Sequence, residues 1–76
     1  MKIKVYYFTG KNGDYKESKR IFNSFVSLYN NLNTFKDINY IAICDDNWHA
    51  IECINGRYNV IDYVSYMVKK GIKKIN

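Results

Sequence analysis

The dipeptide Asn55-Gly56 is the feature that most restricts how this chain can fold. It stands between two stretches that we interpret as strands, residues 48–54 and 57–62. Asn-Gly is a favoured pair for a two-residue type I′ turn, because both of its central positions need positive φ. The sequence therefore predicts a tight hairpin centred on these two residues.

Such a hairpin also fixes which side chains face each other. A two-residue loop sets Ile54 opposite Arg57, and counting outward sets His49 opposite Asp62. The same face would carry the residues that define it as the core side, namely Ile51, Cys53, Tyr58 and Val60. We therefore expect His49 and Asp62 to lie side by side at the open end of that face, within hydrogen-bonding reach.

Periodicity predicts the elements upstream of the hairpin. Residues 2–9 alternate as a strand, and residues 10–13 form a turn. Asp14 followed by Glu17 predicts a capping box, hence the start of a helix. That helix would carry one broad apolar arc, made of Ile21, Phe22, Phe25, Val26, Leu28, Tyr29 and Leu32. Residues 40–44 form a second strand, and residues 45–47 form the turn that connects it to the third.

The C-terminal segment supports two interpretations. Asn59 with Asp62 could cap a helix that begins at Val60, or the returning strand could run to Asp62 before a helix over residues 63–70. We adopt the second interpretation, with Gly71 at the C′ position of the helix.

The predicted order of elements is then β-α-β-β-β-α. This is an α+β fold, a small antiparallel sheet with an amphipathic helix packed on one face, in a single domain over residues 1–76. An alternative takes residues 72–75 as a last strand and gives the ferredoxin-like order β-α-β-β-α-β.

Composition restricts the class of protein. The chain has 76 residues, of which 47% are apolar and 17% aromatic, enough for one packed core. It contains no apolar run that approaches the length of a membrane span, and its N-terminus lacks a signal-peptide pattern. Cys44 and Cys53 show no CxxC or metal-ligand spacing. We expect a cytoplasmic, thiol-reduced protein with no cofactor, no metal and no membrane contact.

The sheet face opposite the core is predicted to be aromatic and basic. The net charge of +5 favours anionic partners. The predicted binding residues are Lys4, Tyr6, Phe8, Tyr40, Trp48, Lys16, Lys19 and Arg20. An aromatic sheet face edged by lysines is typical of proteins that bind single-stranded nucleic acid. Exposed aromatic clusters are also typical of protein-binding sites.

The hairpin segment, residues 48–62, resembles the His-and-Asp hairpin of transglutaminase-like, papain-type cysteine enzymes. In that family a His-Ala pair opens one strand, a Gly-Lys/Arg-aromatic turn follows, and an Asp closes the next strand. The matching positions here are His49-Ala50, the stretch 56–58, and Asp62. Residues 13–17, Gly-Asp-Tyr-Lys-Glu, are similar to the Gly-Asp-Cys-Lys-Asp stretch that precedes the helix in the family.

The resemblance covers about residues 10–64 and implies His49 as the base and Asp62 as the carboxylate that orients it. Tyr15 stands where the family has its nucleophilic cysteine, and a phenol is a poor substitute for a thiolate. Cys44 would point to the other sheet face, and Cys53 would lie about 13 Å from His49 along the strand. The resemblance thus implies a degenerate enzyme core that lacks its nucleophile.

Three functions agree with these observations. The first is a small non-catalytic binding protein that occupies a surface of a larger protein partner. The absence of Pro and the abundance of residues with A/T-rich codons indicate an AT-rich genome, most simply that of a low-GC bacterium, its phage or its plasmid. A 76-residue domain from such a genome, with no complete active site, is typical of phage or mobile-element accessory proteins, which include inhibitors of host defence such as anti-CRISPR proteins. The alternatives are a single-stranded nucleic-acid-binding module and a hydrolase remnant built on His49 and Asp62. The sequence leaves the oligomeric state open, with a dimer among the alternatives.

Overall fold

The computed structural model of the chain describes residues 2–11, 14–34 and 38–72. Within these ranges the elements follow in the order β1 (Ile3–Lys11), β2 (Asp14–Phe22), α1 (Phe25–Leu32), β3 (Ile38–Cys44), β4 (Ala50–Asn55) and α2 (Arg57–Lys69). The strands form one antiparallel sheet in the order β2-β1-β3-β4. The predicted fold class is confirmed, an α+β fold with a small antiparallel sheet and an amphipathic helix on one face.

Both helices pack on the same face of the sheet, which we call the inner face. Alternation along β1 sends every second side chain into the core, as predicted. The buried cluster joins strand and helix residues: Ile3, Val5, Tyr7, Phe22, Phe25, Leu28, Leu32, Ile38, Ile41, Ile43, Val60, Val64 and Met67. The opposite side of the sheet, the outer face, therefore lies away from both helices.

The N-terminal hairpin differs from the prediction. Residues 14–22 form β2, so the predicted capping box of Asp14 and Glu17 is wrong. β2 pairs with β1 along its whole length, from Ile3 opposite Phe22 to Lys11 opposite Asp14. This backbone ladder and the burial of Phe22 outweigh a local cap that is worth about 1 kcal/mol. Gly10 and Lys11 of the predicted turn belong to β1, and residues 12–13 lie outside the described ranges.

Helix α1 begins only after β2 has ended. Ser24 is its N-cap, and the Ser24 Oγ accepts a hydrogen bond from the backbone N–H of Ser27 at 3.1 Å. Phe25, Leu28 and Leu32 are its buried residues, and all three belong to the predicted apolar arc. The predicted arc is thus only partly correct, because Val26 is 53% exposed and Ile21 and Phe22 belong to β2.

The dipeptide Asn55-Gly56 does not make the predicted hairpin. β4 ends at Asn55, α2 begins at Arg57, and β4 pairs instead with β3. Gly56 does adopt the positive φ that the dipeptide favours, at φ 97 and ψ 133. Its N–H donates to the Asn39 carbonyl at 2.8 Å, and its carbonyl accepts from Val60 N–H at 2.9 Å. Gly56 thus turns the chain from a strand directly into a helix.

Burial explains why residues 57–62 are helical. Val60, Val64 and Met67 recur at helical spacing and are the buried residues of α2. Tyr58, which the hairpin would have placed in the core, is 80% exposed. The predicted inner face of Ile51, Cys53 and Tyr58 is wrong for the same reason, because all three are exposed.

The end of α2 agrees with the prediction for Gly71. This residue has φ 65, and its N–H donates to the Val68 carbonyl at 3.1 Å. Ile72 N–H donates to the Met67 carbonyl at 3.1 Å, which completes a Schellman motif. Ile72 therefore caps the helix, and residues 73–75 of the alternative last strand lie outside the described ranges.

Candidate binding surface

Of the predicted binding residues, the outer face carries six, Lys4, Tyr6, Phe8, Lys19, Tyr40 and Trp48. Lys4, Tyr6 and Phe8 alternate onto it from β1, and all three are partly buried. Strand pairing adds residues from the neighbouring strands: Tyr15, Glu17, Lys19, Ile21 and Tyr40. Trp48 reaches the same face from the turn between β3 and β4.

Four side chains form a compact group at one end of this face, which we call the Trp48 cluster: Lys4, Tyr6, Lys19 and Trp48. The rings of Tyr6 and Trp48 meet edge to face, with centroids 5.4 Å apart. Lys19 Nζ lies 5.0 Å from the Trp48 ring centroid and 5.2 Å from that of Tyr6. Lys4 Nζ lies 5.4 Å from the Trp48 centroid. Cation–π attraction thus holds two ammonium groups over one aromatic group.

Trp48 reaches the cluster through an unusual backbone conformation. Its φ of 63 makes it the one non-glycine residue with positive φ among the described residues. For a residue with a Cβ this region costs about 1–2 kcal/mol, since the Cβ approaches the following carbonyl oxygen. Such strain persists where the surroundings impose it and is found at functional sites.

Asp45 imposes this conformation on the turn. Its Oδ1 accepts hydrogen bonds from the N–H groups of Asn47 and His49, both at 2.9 Å. The Asp45 carbonyl accepts from Trp48 N–H at 3.0 Å, and Lys4 Nζ donates to the Asp46 carbonyl at 2.8 Å. The His49 N–H first, and then the Asn47 N–H and the nearby charges of His49 and Lys4, lower the pKa of Asp45. The carboxylate therefore stays ionised and keeps the turn closed.

A second feature lies at the other end of the outer face, an open cleft of about 500 Å³ that we call the aromatic cleft. Its lining combines rings with carboxamides: Phe8, Tyr15, Asn39, Tyr40, Asn55 and Gly56. The Phe8 and Tyr40 rings are 5.2 Å apart at an angle of 44°. Tyr15 is opposite Gly10, which has no side chain, and is 55% exposed.

Tyr40 joins the cleft to the neighbouring strand. A side-chain hydrogen bond to Cys53, followed by burial, raises the pKa of Tyr40, so that its hydroxyl stays protonated. Cys53 is exposed on β4, opposite Ala42, whereas Cys44 is buried. Burial is also the main cause that raises the pKa of Cys44. Both thiols are free.

The predicted basic group of Lys16, Lys19 and Arg20 is divided between the two faces. Lys19 lies opposite Tyr6 on the outer face, whereas Lys16 lies opposite Thr9 and Arg20 opposite Val5, on the inner side. The Arg20 guanidinium packs over the Phe22 ring at 5.1 Å. These residues were predicted to lie on the helix that begins at Asp14, and in a strand the period of two divides them between the two faces instead.

The residues predicted for catalysis are not brought together. Asp62 lies within α2 and Tyr15 within β2, so neither occupies the position that the hairpin or the resemblance gave it. His49 is 80% exposed, and its Nδ1 lies 3.7 Å from Asp45 Oδ2. No hydrogen bond or ion pair in the described part of the chain joins His49 to Asp62. The predicted side-by-side pair is therefore wrong, because it depended on the Asn55-Gly56 hairpin.

Sequence reasoning missed the aromatic cleft. Asn39 and Asn55 line it only because the strands of 38–44 and 50–55 pair in one particular register, with an irregularity near Phe8 and Thr9. Tyr15 reaches it only because residues 14–22 are a strand. The sequence does contain a signal for a strand here, the alternation of Tyr15, Glu17 and Lys19. It was not used because these residues were predicted to be helical.

Comparisons with known proteins add no assignment. No family model matches the chain, and neither a curated protein nor a solved structure matches it. Across residues 2–11, 14–34 and 38–72, no three His, Cys, Asp or Glu side chains are grouped so as to hold a metal ion. Neither described helix is long and apolar enough to cross a membrane. The resemblance to cysteine enzymes stays a prediction.

Proposed function

We propose that this chain is a small non-catalytic binding protein and that the outer face is the surface with which it contacts a larger partner. The observation that carries the proposal is the Trp48 cluster. A strained tryptophan, two lysines and a tyrosine are held together on the side of the sheet that the helices leave open. Strain of this kind is common where a protein binds its ligand.

The inner core does not account for the cluster. The buried residues that join the sheet to α1 and α2 lie on the inner face. Trp48 and Tyr6 contact each other and the two lysines, and both remain partly accessible. Trp and Tyr are enriched among the residues that dominate the binding energy of protein interfaces.

A non-catalytic role is supported by the surroundings of His49. Its neighbouring carboxylate, Asp45, is already engaged by two backbone N–H groups of the turn. The identity of the partner, and the role of a phage or mobile-element inhibitor of host defence, stay predictions that depend on size and composition.

The proposal is tested by capture of partners with outer-face variants. The tagged chain is incubated with lysate of a low-GC bacterium, and bound protein and nucleic acid are quantified beside Trp48→Gly and Lys19→Glu. Glycine is used at position 48 because it accepts the positive φ. We expect the amount of bound partner to fall by about 80–90% in both variants, which corresponds to a loss of about 1–1.4 kcal/mol of binding free energy.

The matched control is Tyr58→Ser, which removes an exposed aromatic side chain from α2. It should retain the partner at the wild-type level. Loss of the partner in Tyr58→Ser together with retention in Trp48→Gly and Lys19→Glu would contradict the proposal.

A further inference from the structure

We infer that the partner of the outer face is single-stranded nucleic acid, with one base in the aromatic cleft and the phosphate backbone at the Trp48 cluster. The inference rests on the proposed function and deepens it. The two sites share one sheet face and offer the two kinds of contact that single strands need, ring stacking and cationic groups.

The Trp48 cluster supplies the cationic groups. Lys4 and Lys19 both hold their ammonium groups within 5.4 Å of the Trp48 ring centroid. Lys4 donates to the Asp46 carbonyl, which holds its ammonium group at the cluster beside the turn. Two ammonium groups attract an anionic group, and the indole beside them favours a planar ring nearby. A nucleotide carries both of these, a phosphate and a planar base.

The aromatic cleft supplies the stacking surface. Its volume of about 500 Å³ falls within the range usual for small-ligand sites. The exposed Tyr15 lines the cleft together with the ring pair of Phe8 and Tyr40. Asn55, opposite Tyr40 on the outer face, lines the cleft, and its carboxamide can both donate to and accept from the edge of a base. A planar heterocycle with polar edges matches this lining better than an aliphatic side chain.

The two sites adjoin along β1. Tyr6 of the Trp48 cluster and Phe8 of the aromatic cleft are two residues apart, and Lys4 and Phe8 are four residues apart, which at the usual strand rise corresponds to about 7 Å and about 13 Å. A short strand can therefore place one base in the cleft and the phosphate of a neighbouring nucleotide at the Trp48 cluster.

One residue of the outer face carries a negative charge, which repels the phosphates of a nucleic acid. Glu17 is exposed and lies opposite Phe8, between Tyr15 and Lys19 on β2. A strand that passes from the cleft to the Trp48 cluster runs beside this carboxylate. Glu17→Gln should therefore tighten the binding of nucleic acid, because it removes a negative charge that repels the phosphates. No such effect is expected if the outer face does not bind nucleic acid.

The inference is tested by fluorescence anisotropy with labelled 12-nucleotide single strands of mixed sequence, one DNA and one RNA, beside a duplex of the same sequence. Counterion release gives a slope of about −0.7 per neutralised phosphate. Two lysine contacts thus predict binding that weakens roughly seven-fold between 50 and 200 mM NaCl. Single strands should bind more tightly than the duplex, and the two single strands distinguish RNA from DNA as the source.

Three variants locate the interaction. Tyr15→Ala should weaken binding about five-fold or more through lost stacking. Lys19→Ala should weaken binding and reduce the salt slope by about 0.7, whereas Lys16→Ala, on the same strand but the other face, should change neither quantity. Circular dichroism confirms that each variant is folded.

The outcomes separate this inference from the proposed function. Absence of binding to both single strands at 50 mM NaCl, or equal losses in Lys16→Ala and Lys19→Ala, overturns the inference. If a protein is captured in a manner that depends on Trp48 and Lys19 while both oligonucleotides fail to bind, the inference falls and the proposed function stands. If neither a protein nor a nucleic acid depends on these residues, both fall.

Discussion

At residue 48 the backbone conformation and the side chain make opposite demands. Positive φ favours glycine, yet the position carries the largest side chain in the chain, and the Asp45 carboxylate holds the turn that makes this conformation necessary. Stability and binding can therefore be separated at one position.

Two substitutions at Trp48 perform that separation. Trp48→Gly relieves the left-handed strain and Trp48→Ala retains it, so we expect the glycine variant to be the more stable by about 1 kcal/mol. Both should lose binding equally, because both lose the ring. Urea unfolding and the anisotropy assay measure the two quantities. An alanine variant as stable as the glycine variant would show that the φ of 63 carries no strain.

A second residue-scale prediction concerns alkaline pH. Burial first, and then the charge of Glu52, raise the pKa of Tyr63 to about 12. The folded state thus holds this proton more tightly than the unfolded chain, where a tyrosine has a pKa of about 10. The stabilisation is fully present below about pH 10 and is lost as the pH rises toward 12. In Tyr63→Phe the free energy of unfolding should fall less steeply over that window than in the wild type, as followed by urea unfolding at several pH values. Parallel curves for the two proteins would contradict this.

At the scale of elements, β1, β3 and β4 were predictable from the sequence, whereas β2, predicted as part of a helix, and the starts of both helices were not. The inward alternation of Ile3, Val5 and Tyr7 predicted β1 correctly, because a period of two has no other explanation over that length. Capping signals at Asp14 and the turn signal at Asn55-Gly56 are local, and each was overridden by pairing or burial that involves residues distant in sequence. Local free energies of about 1 kcal/mol cannot compete with a complete strand ladder or a buried helix face.

The cap of α1 provides an element-scale prediction. Ser24 Oγ accepts from Ser27 N–H, so Ser24→Ala should cost about 1 kcal/mol of stability, whereas Ser24→Asp should retain the cap. Chemical denaturation of the two variants measures the difference. Equal stability of both variants would mean that the cap contributes nothing to α1.

At the scale of the whole molecule, the two faces of the sheet serve different purposes. A domain of this length has roughly 4–11 kcal/mol of stability in total, at the usual value per residue. The inner face supplies it, because the buried side chains of both helices and the sheet meet there. The outer-face residues could be assigned from the sequence where they lie on β1, but the cleft needed the register of the paired strands.

Because the inner face supplies the stability, truncating a side chain there should destabilise the domain more than truncating one on the outer face. Leu28→Ala, in the core at 2% exposure, should cost about 2–5 kcal/mol and leave the domain close to unfolding. Ile21→Ala, on the outer face at 50% exposure, should change the stability by less than about 0.5 kcal/mol. Urea midpoints of the two variants measure the contrast. Similar losses in both would show that the outer face carries part of the core.

The two thiols provide a practical route to the outer face. Cys44 is buried within the sheet, whereas Cys53 is exposed on β4, close to Tyr40 of the aromatic cleft. A maleimide dye added to the unmodified chain will therefore attach at a single position. Its emission will respond when an occupant enters the neighbouring space, so the native sequence already carries its own reporter.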